Sequence, residues 1–282
     1  MQNCAQILAW SAWAPGLEGR DVWVEAVRSG SSDFGLSASE FSAPGAAEPK
    51  APAAAVPPML RRRLSPLGRA AAEVAAPLLA IARDKNLPWV YASRWGDMKL
   101  AVESLEAVAA AEPVSPAAFS TSVHNAPPAL LSIALKHTGN LTALAGGPFS
   151  LEAAFESAMG LLLEAPEVLV VCADLKPPVE TGAAGVTHAV GFLLGHQNET
   201  SDPLVWAAEC AKGPFCALTT RALAPNEAPD PRLDRFGGVP PALEVLSWLL
   251  AADERAFTHL DRHAAHVWGK TARLMPAAEV PA

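Results

Sequence analysis

The stretch Ser115–Asp174, SPAAFSTSVHNAPPALLSIALKHTGNLTALAGGPFSLEAAFESAMGLLLEAPEVLVVCAD, reads as loop, helix, strand, tight turn, helix and strand. Its spacing predicts a first helix over Ser122–Leu135, with Ser122 as cap and Leu130, Leu131, Ala134 and Leu135 as an apolar stripe. Gly139 ends that helix, and Thr142–Leu144 makes a short apolar strand. Gly146-Gly147-Pro148 then turns the chain into a second predicted helix, Ser150–Leu163. The unbroken β-branched run Val168–Ala173 has the composition of a strand covered on both faces, as in a parallel sheet, so the fold class is α/β.

A strand, sharp turn and helix is where α/β enzymes often place a nucleophile, because the turn exposes one side chain above the positive end of a helix. Here the turn holds Gly146, Gly147, Pro148 and Phe149, and none of them can attack a carbonyl. Ser150 is the one hydroxyl near, and its position suits an N-cap better than a nucleophile.

With these residues in place, the stretch resembles the N-terminal half of a β-ketoacyl synthase, in which a Ser-Pro loop leads to a helix carrying an Asn, then a strand and a turn with an acylated cysteine. Ser115-Pro116, Asn125, Gly139 and the strand and turn at 142–147 match that order, and Pro148 stands where the cysteine is expected. The resemblance is more specific to the shortened ketosynthase-like proteins called chain-length factors, in particular those of aryl polyene pathways. It rests on AWSAWAPG at 9–16, PPMLRRRLSPLGR at 57–69, YASRWGD at 91–97 and FSTSVHNA at 119–126, and covers most of residues 7–195. It implies a thiolase-like fold, layered α-β-α with a mainly parallel sheet, and one ketosynthase-like domain over residues 1–282.

Half of the residues are apolar, which fits a globular chain with ample core, and the formal charge of -8 argues against nucleic acid as a general partner. Cys4, Cys172, Cys210 and Cys216 are scattered without metal spacing, and Cys172 reads as a buried core thiol. With no export signal and no run of about 18 apolar residues, the expectation is a cytoplasmic protein without a membrane span.

Residues 4–13 read as a first strand in which Trp10 and Trp13 are packing groups, and Asp21–Arg28 as a short helix capped by its own Asp. Residues 30–58, rich in Gly, Ser, Ala and Pro, read as a loop or insertion. Met59–Ala82 is the next helical element and carries Arg61, Arg62, Arg63 and Arg69 before its first acid at Glu73. A run of charge is usually a solvated face, while the resemblance implies docking of an acidic acyl carrier protein here. Pro88–Ser93 reads as a core strand, Met98–Ala111 as a helix, Thr181–Leu194 as a strand with His188 as a core or edge histidine, and Leu204–Ala208 as an edge strand.

Ser122 and His124, two residues apart on a helix, make a geometrically poor dyad, so His124 reads as a buried or interfacial hydrogen-bonding residue. The resemblance places the loop Ala117–Phe119 across a dimer in the partner's acyl tunnel, with Ala118 deepest; a buried loop of small residues is the other reading. Near the C-terminus a Pro-rich linker at 225–241 precedes a predicted helix, Pro241–Trp268. His259, His263 and His266 recur there at i, i+4 and i+7 on one face, yet without cysteine or a placed carboxylate they do not argue for a metal.

The two histidine contexts of a full ketosynthase are not found in the chain, and decarboxylative condensation needs a thiolate and imidazoles. The resemblance therefore implies a catalytically inactive subunit, without cofactor or metal, that forms a heterodimer with a full-length β-ketoacyl synthase and shapes its acyl pocket. The pocket and interface residues so implied are Ala117, Ala118, Phe119, Ser122, His124, Asn125, Thr142, Gly147, Pro148 and Phe149, with sheet-to-sheet contact at Thr142–Leu144. The alternatives are an acyl hydrolase or acyltransferase using Ser122, Ser150 or Cys172 with His124 or His188, and a homodimeric scaffold.

Overall fold

The computed structural model describes residues 4–29, 50–178, 181, 185–195, 215–223, 227–228, 240–251, 256–260 and 264–270. The bulky N-terminal run forms β1 (Cys4–Trp13), and Gly19 precedes α1 (Arg20–Arg28), so that Asp21 lies in the first turn instead of capping it. The arginine-rich stretch is two helices. α2 (Pro58–Arg61) stops, and Ser65 starts α3 (Pro66–Ile81) by accepting a hydrogen bond from the Gly68 N–H at 3.3 Å. Pro66 explains the division, because a proline lacks the N–H that a through-running helix needs but fits the first turn of a new one.

After β2 (Trp89–Ala92) and α4 (Met98–Ala109), Ser115 caps α5 (Pro116–Thr121), so the segment 117–119 expected as a loop is helical. The helix expected over Ser122–Leu135 is thereby divided, with Ser122 ending α5 and α6 spanning Ala126–Leu135. Pro127 and Pro128 impose this, since they fit only where no intrahelical N–H is needed. β3 (Leu141–Leu144), a 3-10 turn over Gly147–Phe149, α7 (Ser150–Leu161) and β4 (Glu167–Asp174) then follow in the expected order.

β5 begins only at His188 (His188–Gly195), and β6 (Phe215–Ala222) leads to α8 (Pro241–Leu250). The helix expected to reach Trp268 ends at Leu250, and the chain returns as a pair of strands, β7 (Ala256–Leu260) and β8 (Ala264–Lys270). Lys270 enforces that ending: its Nζ donates to the Trp248 and Ala251 carbonyls, the latter at 2.7 Å, at the C-terminus of α8. Leu204–Ala208, His263 and residues 30–49 of the expected insertion lie outside the described residues. Ala51, Ala53 and Val56 are not loose: they are buried against α3, where Glu73 accepts the Ala53 N–H at 2.7 Å.

Among the described residues eight strands form one sheet in the order β3-β2-β4-β5-β1-β6-β8-β7. β2 pairs in parallel with β3 and β4, and every other pairing is antiparallel. In the block β3-β2-β4-β5-β1, four strands share one direction and β5 opposes them, so the parallel character expected of the sheet is one of direction, with parallel pairing confined to β3-β2-β4. α7, α8 and α1 cover one face and α3 with α6 the other, giving three layers and a core on each side of the sheet. All residues of β4 and β5 are buried, as the unbroken apolar run of β4 requires.

Phe155 of α7 is fully buried in the first of these cores, with ring centroids 5.3 Å from Phe192 and 4.9 Å from Trp268. Phe155→Ala is expected to cost about 3–5 kcal/mol, read as a lowered urea midpoint. A loss below about 1 kcal/mol would show that this layer is not packed as described.

Candidate functional site

Two glycines of the turn after β3 are demanded by its geometry, one by its backbone angle and one by close approach. Gly147 has φ +58°, and a Cβ on Gly146 would lie 2.8 Å from the Phe149 carbonyl oxygen. Ser150, expected as an N-cap, is instead the first residue of α7. Its Oγ accepts the Gly146 N–H at 3.1 Å and donates to the Gly147 carbonyl at 2.8 Å, which ties the turn to the helix and occupies the hydroxyl. Pro148 is half-buried, and the Phe149 ring is 9% exposed.

Beneath this turn lies a buried charged group. His259 of β7 contacts Glu152 Oε1 through Nδ1 at 2.5 Å and Glu244 Oε2 through Nε2 at 3.1 Å. Since both nitrogens face carboxylates, both carry protons and the ring is an imidazolium. Burial alone would push its pKa down, but the hydrogen bonds to Glu152 and Glu244 outweigh it and hold the pKa at about 9. Trp268 Nε1 donates to the same Glu152 oxygen at 3.2 Å. His266, directly opposite His259 in the β7–β8 ladder, stacks on Phe149 at 4.6 Å, and Thr220 bridges its Nδ1 (3.0 Å) to Glu156. The helical histidine face expected from the sequence is thus a cross-strand pair, and among the described residues no metal-binding cluster occurs.

β3, which leads into this turn, is an edge strand paired only with β2 among the described residues, and its four residues, Thr142 included, are half-buried. A groove of about 560 Å³ runs beside it, lined by His124, Asn125, Ala129, Ser132, Leu141 and Ala143. His124 backs onto Gly96, where a Cβ would lie 3.1 Å from the imidazole. Gly96 is fixed by donating to Ser93 Oγ at 2.8 Å, which in turn donates to buried Asp174 at 2.7 Å. Asn125 is exposed and makes no side-chain cap bond. Neither α4 nor α5 has a buried residue, and Leu105 (68%), Phe119 (64%) and Ile133 (64%) are large apolar side chains in water. Ala117 is exposed and Ala118 half-buried.

Among the described residues no hydrogen bond joins the hydroxyls or the thiol of the hydrolase reading to its histidines. Ser122 donates to the Phe119 carbonyl at 2.9 Å, His188 places Nδ1 on the Val186 carbonyl at 2.9 Å, and burial pushes the Cys172 thiol well above its ordinary pKa. Arg62 and Arg63 are exposed, Arg61 and Arg69 half-buried, and none of the four pairs with a carboxylate among the described residues. Sequence reading missed Glu152 and Glu244. Glu152 had a signal: it lies at i, i+3 and i+7 with Phe155 and Met159, an acid in line with buried apolar residues.

Residues 37–269 match the family described as beta-ketoacyl synthase, N-terminal domain. No curated protein matches the chain. A solved structure of a ketosynthase (ApeO) in complex with its chain length factor (ApeC) from Xenorhabdus doucetiae is similar at 22% identity and TM-score 0.69, over 95% of this chain and 99% of that one. The ishigamide ketosynthase/chain length factor matches at 18% identity and TM-score 0.64, over 96% and 99%. A type II PKS acyl-carrier protein in complex with its ketosynthase bound to the hexaketide, AntDE:AntF, matches at 12% and TM-score 0.59, over 97% and 100%. At these identities the likeness is one of fold, the thiolase-like fold of ketosynthases.

The His259 pKa stands at about 9 when folded against an ordinary 6.5. Its contribution is therefore complete below about pH 6.5 and is lost as pH rises through about 9, a difference of about 3 kcal/mol. Urea midpoints measured from pH 6 to 10 are expected to fall across that window, and to fall less in His259→Gln. An equal slope in both proteins would remove the charged-imidazole assignment.

Proposed function

Because the chain belongs to the β-ketoacyl synthase N-terminal domain family, we propose that it is a chain length factor, a subunit that pairs with an active ketosynthase and shapes its acyl pocket without acylation of its own. What supports this reading is the turn: the motif resemblance puts Pro148 at the nucleophile position, and the neighbouring Ser150 hydroxyl is committed to the Gly147 carbonyl. An acyl group needs a thiolate or hydroxyl to hold it, and this turn offers neither.

The open edge of β3 supports pairing with a second ketosynthase-like sheet, because an edge strand presents unpaired backbone groups to a partner strand. Its neighbours supply apolar surface at Phe119 and Ile133, and the groove at His124 and Asn125 lies beside it. Ala117, Ala118, Phe119, Ser122, Thr142, Gly147 and Phe149 are the further residues of this interface and pocket. The solved complexes pair a ketosynthase with a chain length factor, which favours a ketosynthase as partner over a second copy of this chain. The motif resemblance points to an aryl polyene product class and to a carrier protein at Arg61, Arg62, Arg63 and Arg69, on a chain otherwise of net charge -8.

Co-expression with a full-length ketosynthase is expected to yield a stable 1:1 complex, and an acyl adduct trapped on this chain alone would overturn the reading. Within the complex, Ala118→Trp is expected to shorten the products, and an unaltered distribution would take Ala118 off the pocket wall. Replacing Arg61, Arg62 and Arg63 by Ala is expected to weaken carrier binding about tenfold at low salt, with the difference shrinking as salt rises. Equal binding at low salt would remove the docking site.

A further inference from the structure

Glu152 and Glu156 stand one turn apart on α7 and so share a face of that helix. Between them they reach all three of the last strands. Glu152 contacts His259 of β7 at 2.5 Å and accepts from Trp268 Nε1 of β8 at 3.2 Å. Exposed Glu156 accepts the hydroxyl of Thr220 in β6, which also meets His266 of β8 at 3.0 Å. The three strands are bound to one another along their lengths, β8 pairing with both β6 and β7. Among the described residues β6 meets the rest of the sheet through Cys4–Gln6 of β1 alone. α8 belongs with them: Lys270 of β8 donates to its last carbonyls and lies 4.8 Å over the Trp248 ring, which stacks on Phe257 of β7 at 6.0 Å.

We propose that α8, β6, β7 and β8 form a C-terminal latch that opens from the body of the domain as one unit, and that the seat of Glu152, Glu156 and His259 on α7 is the catch that holds it shut. The inference does not depend on the chain length factor reading. Apolar burial also keeps the latch closed, since Trp268 packs on Phe155 at 4.9 Å and α8 shares that core. The catch adds to this burial a term that a proton controls. The charged and titratable groups facing it, among the described residues, are Glu152 and Glu156 from α7, Glu244 from α8, His259 from β7 and His266 from β8. As an imidazolium His259 serves Glu152 and Glu244 at once, whereas the neutral ring has one N–H to give and leaves one carboxylate facing a lone pair. Glu152 has no exposed surface and no hydrogen-bond partner at Oε2, so it has no water to fall back on. The catch is therefore fully set below about pH 6.5 and slackens as pH rises through about 9.

Two buried thiols report on the two parts. Cys216 lies in β6 opposite Ala5, at the junction with the body, and Cys172 lies inside β4. Thiol labelling of the full chain, resolved by peptide mass spectrometry and corrected for thiolate reactivity at each pH, is expected to modify Cys216 at least about tenfold faster than Cys172 at pH 7. Amides of α8, β7 and β8 are expected to exchange with the same opening constant as Cys216. His259→Gln, and Glu152→Gln, which keeps the side-chain volume, should each raise Cys216 labelling about tenfold at pH 7. In the wild type the corrected Cys216 rate should rise as pH passes about 9, a step that His259→Gln lacks. Equal rates at Cys216 and Cys172, a comparison that needs no variant, would show that the molecule opens only as a whole and overturn the latch. Amides of α8 or the hairpin that open with Cys172 would overturn the single unit. A Cys216 rate unchanged in both variants, or flat through pH 9 in the wild type, would take the catch away from His259.

Discussion

Glu152 carries a carboxylate with no exposed surface in the first turn of α7, two residues beyond Ser150, and His259 from a strand more than a hundred residues later neutralises it. Two features make the burial tolerable. The N-terminus of α7 favours a negative charge, and an imidazolium and an indole N–H both converge on the same oxygen. Removing one member of such a buried pair typically costs about 3–5 kcal/mol, because the other is left uncompensated. The position of α7, the seating of α8 through Glu244, and the placement of the β7–β8 hairpin are therefore consequences of one contact group. The turn at Gly146–Phe149 rests directly on it.

That arrangement uses both histidines of the C-terminal hairpin for structure. His259 is saturated by carboxylates and His266 is taken up by Phe149 and Thr220, so neither ring nitrogen pattern is that of a free general base near the turn. Pro148 and the committed Ser150 leave the turn without a nucleophile, and Cys172, whose thiol burial keeps protonated, sits inside β4. The scaffold around this turn is packed and hydrogen-bonded to itself.

The buried strands were legible from the sequence. β4 has eight buried residues and shows as an unbroken run, and Trp10 and Trp13 are core groups as their bulk suggests. The boundaries that went astray did so at prolines and at the C-terminus. Pro66 and the pair Pro127-Pro128 each restart a helix, which an apolar stripe running through them conceals. The spacing of His259 and His266 fits two turns of helix and equally the two arms of a hairpin, and it is the long-range pairing of β8 with β6, with Lys270 reaching back to the end of α8, that accompanies the hairpin. Glu152 could have been found as an acid on an apolar face, but its partners Glu244 and His259 are distant in the chain and nothing local announces them.

The molecule divides its stability unevenly, and the division follows from what each part must do. Beneath the turn, three hydrogen bonds within a buried charged group tie α7, α8 and the β7–β8 hairpin together. Around β3 the opposite holds: α4 and α5 pack mainly on each other, contain no buried residue, and hold apolar side chains in water. Elements with so few buried contacts open at low free-energy cost. Exposed Leu105, Phe119 and Ile133, together with the unpaired edge of β3, are a liability in an isolated chain, one that a net charge of -8 offsets by keeping copies apart. A partner laid along the β3 edge and over these helices would bury such side chains and stiffen the helices, so that rigidity on this face would come from assembly and not from the chain itself.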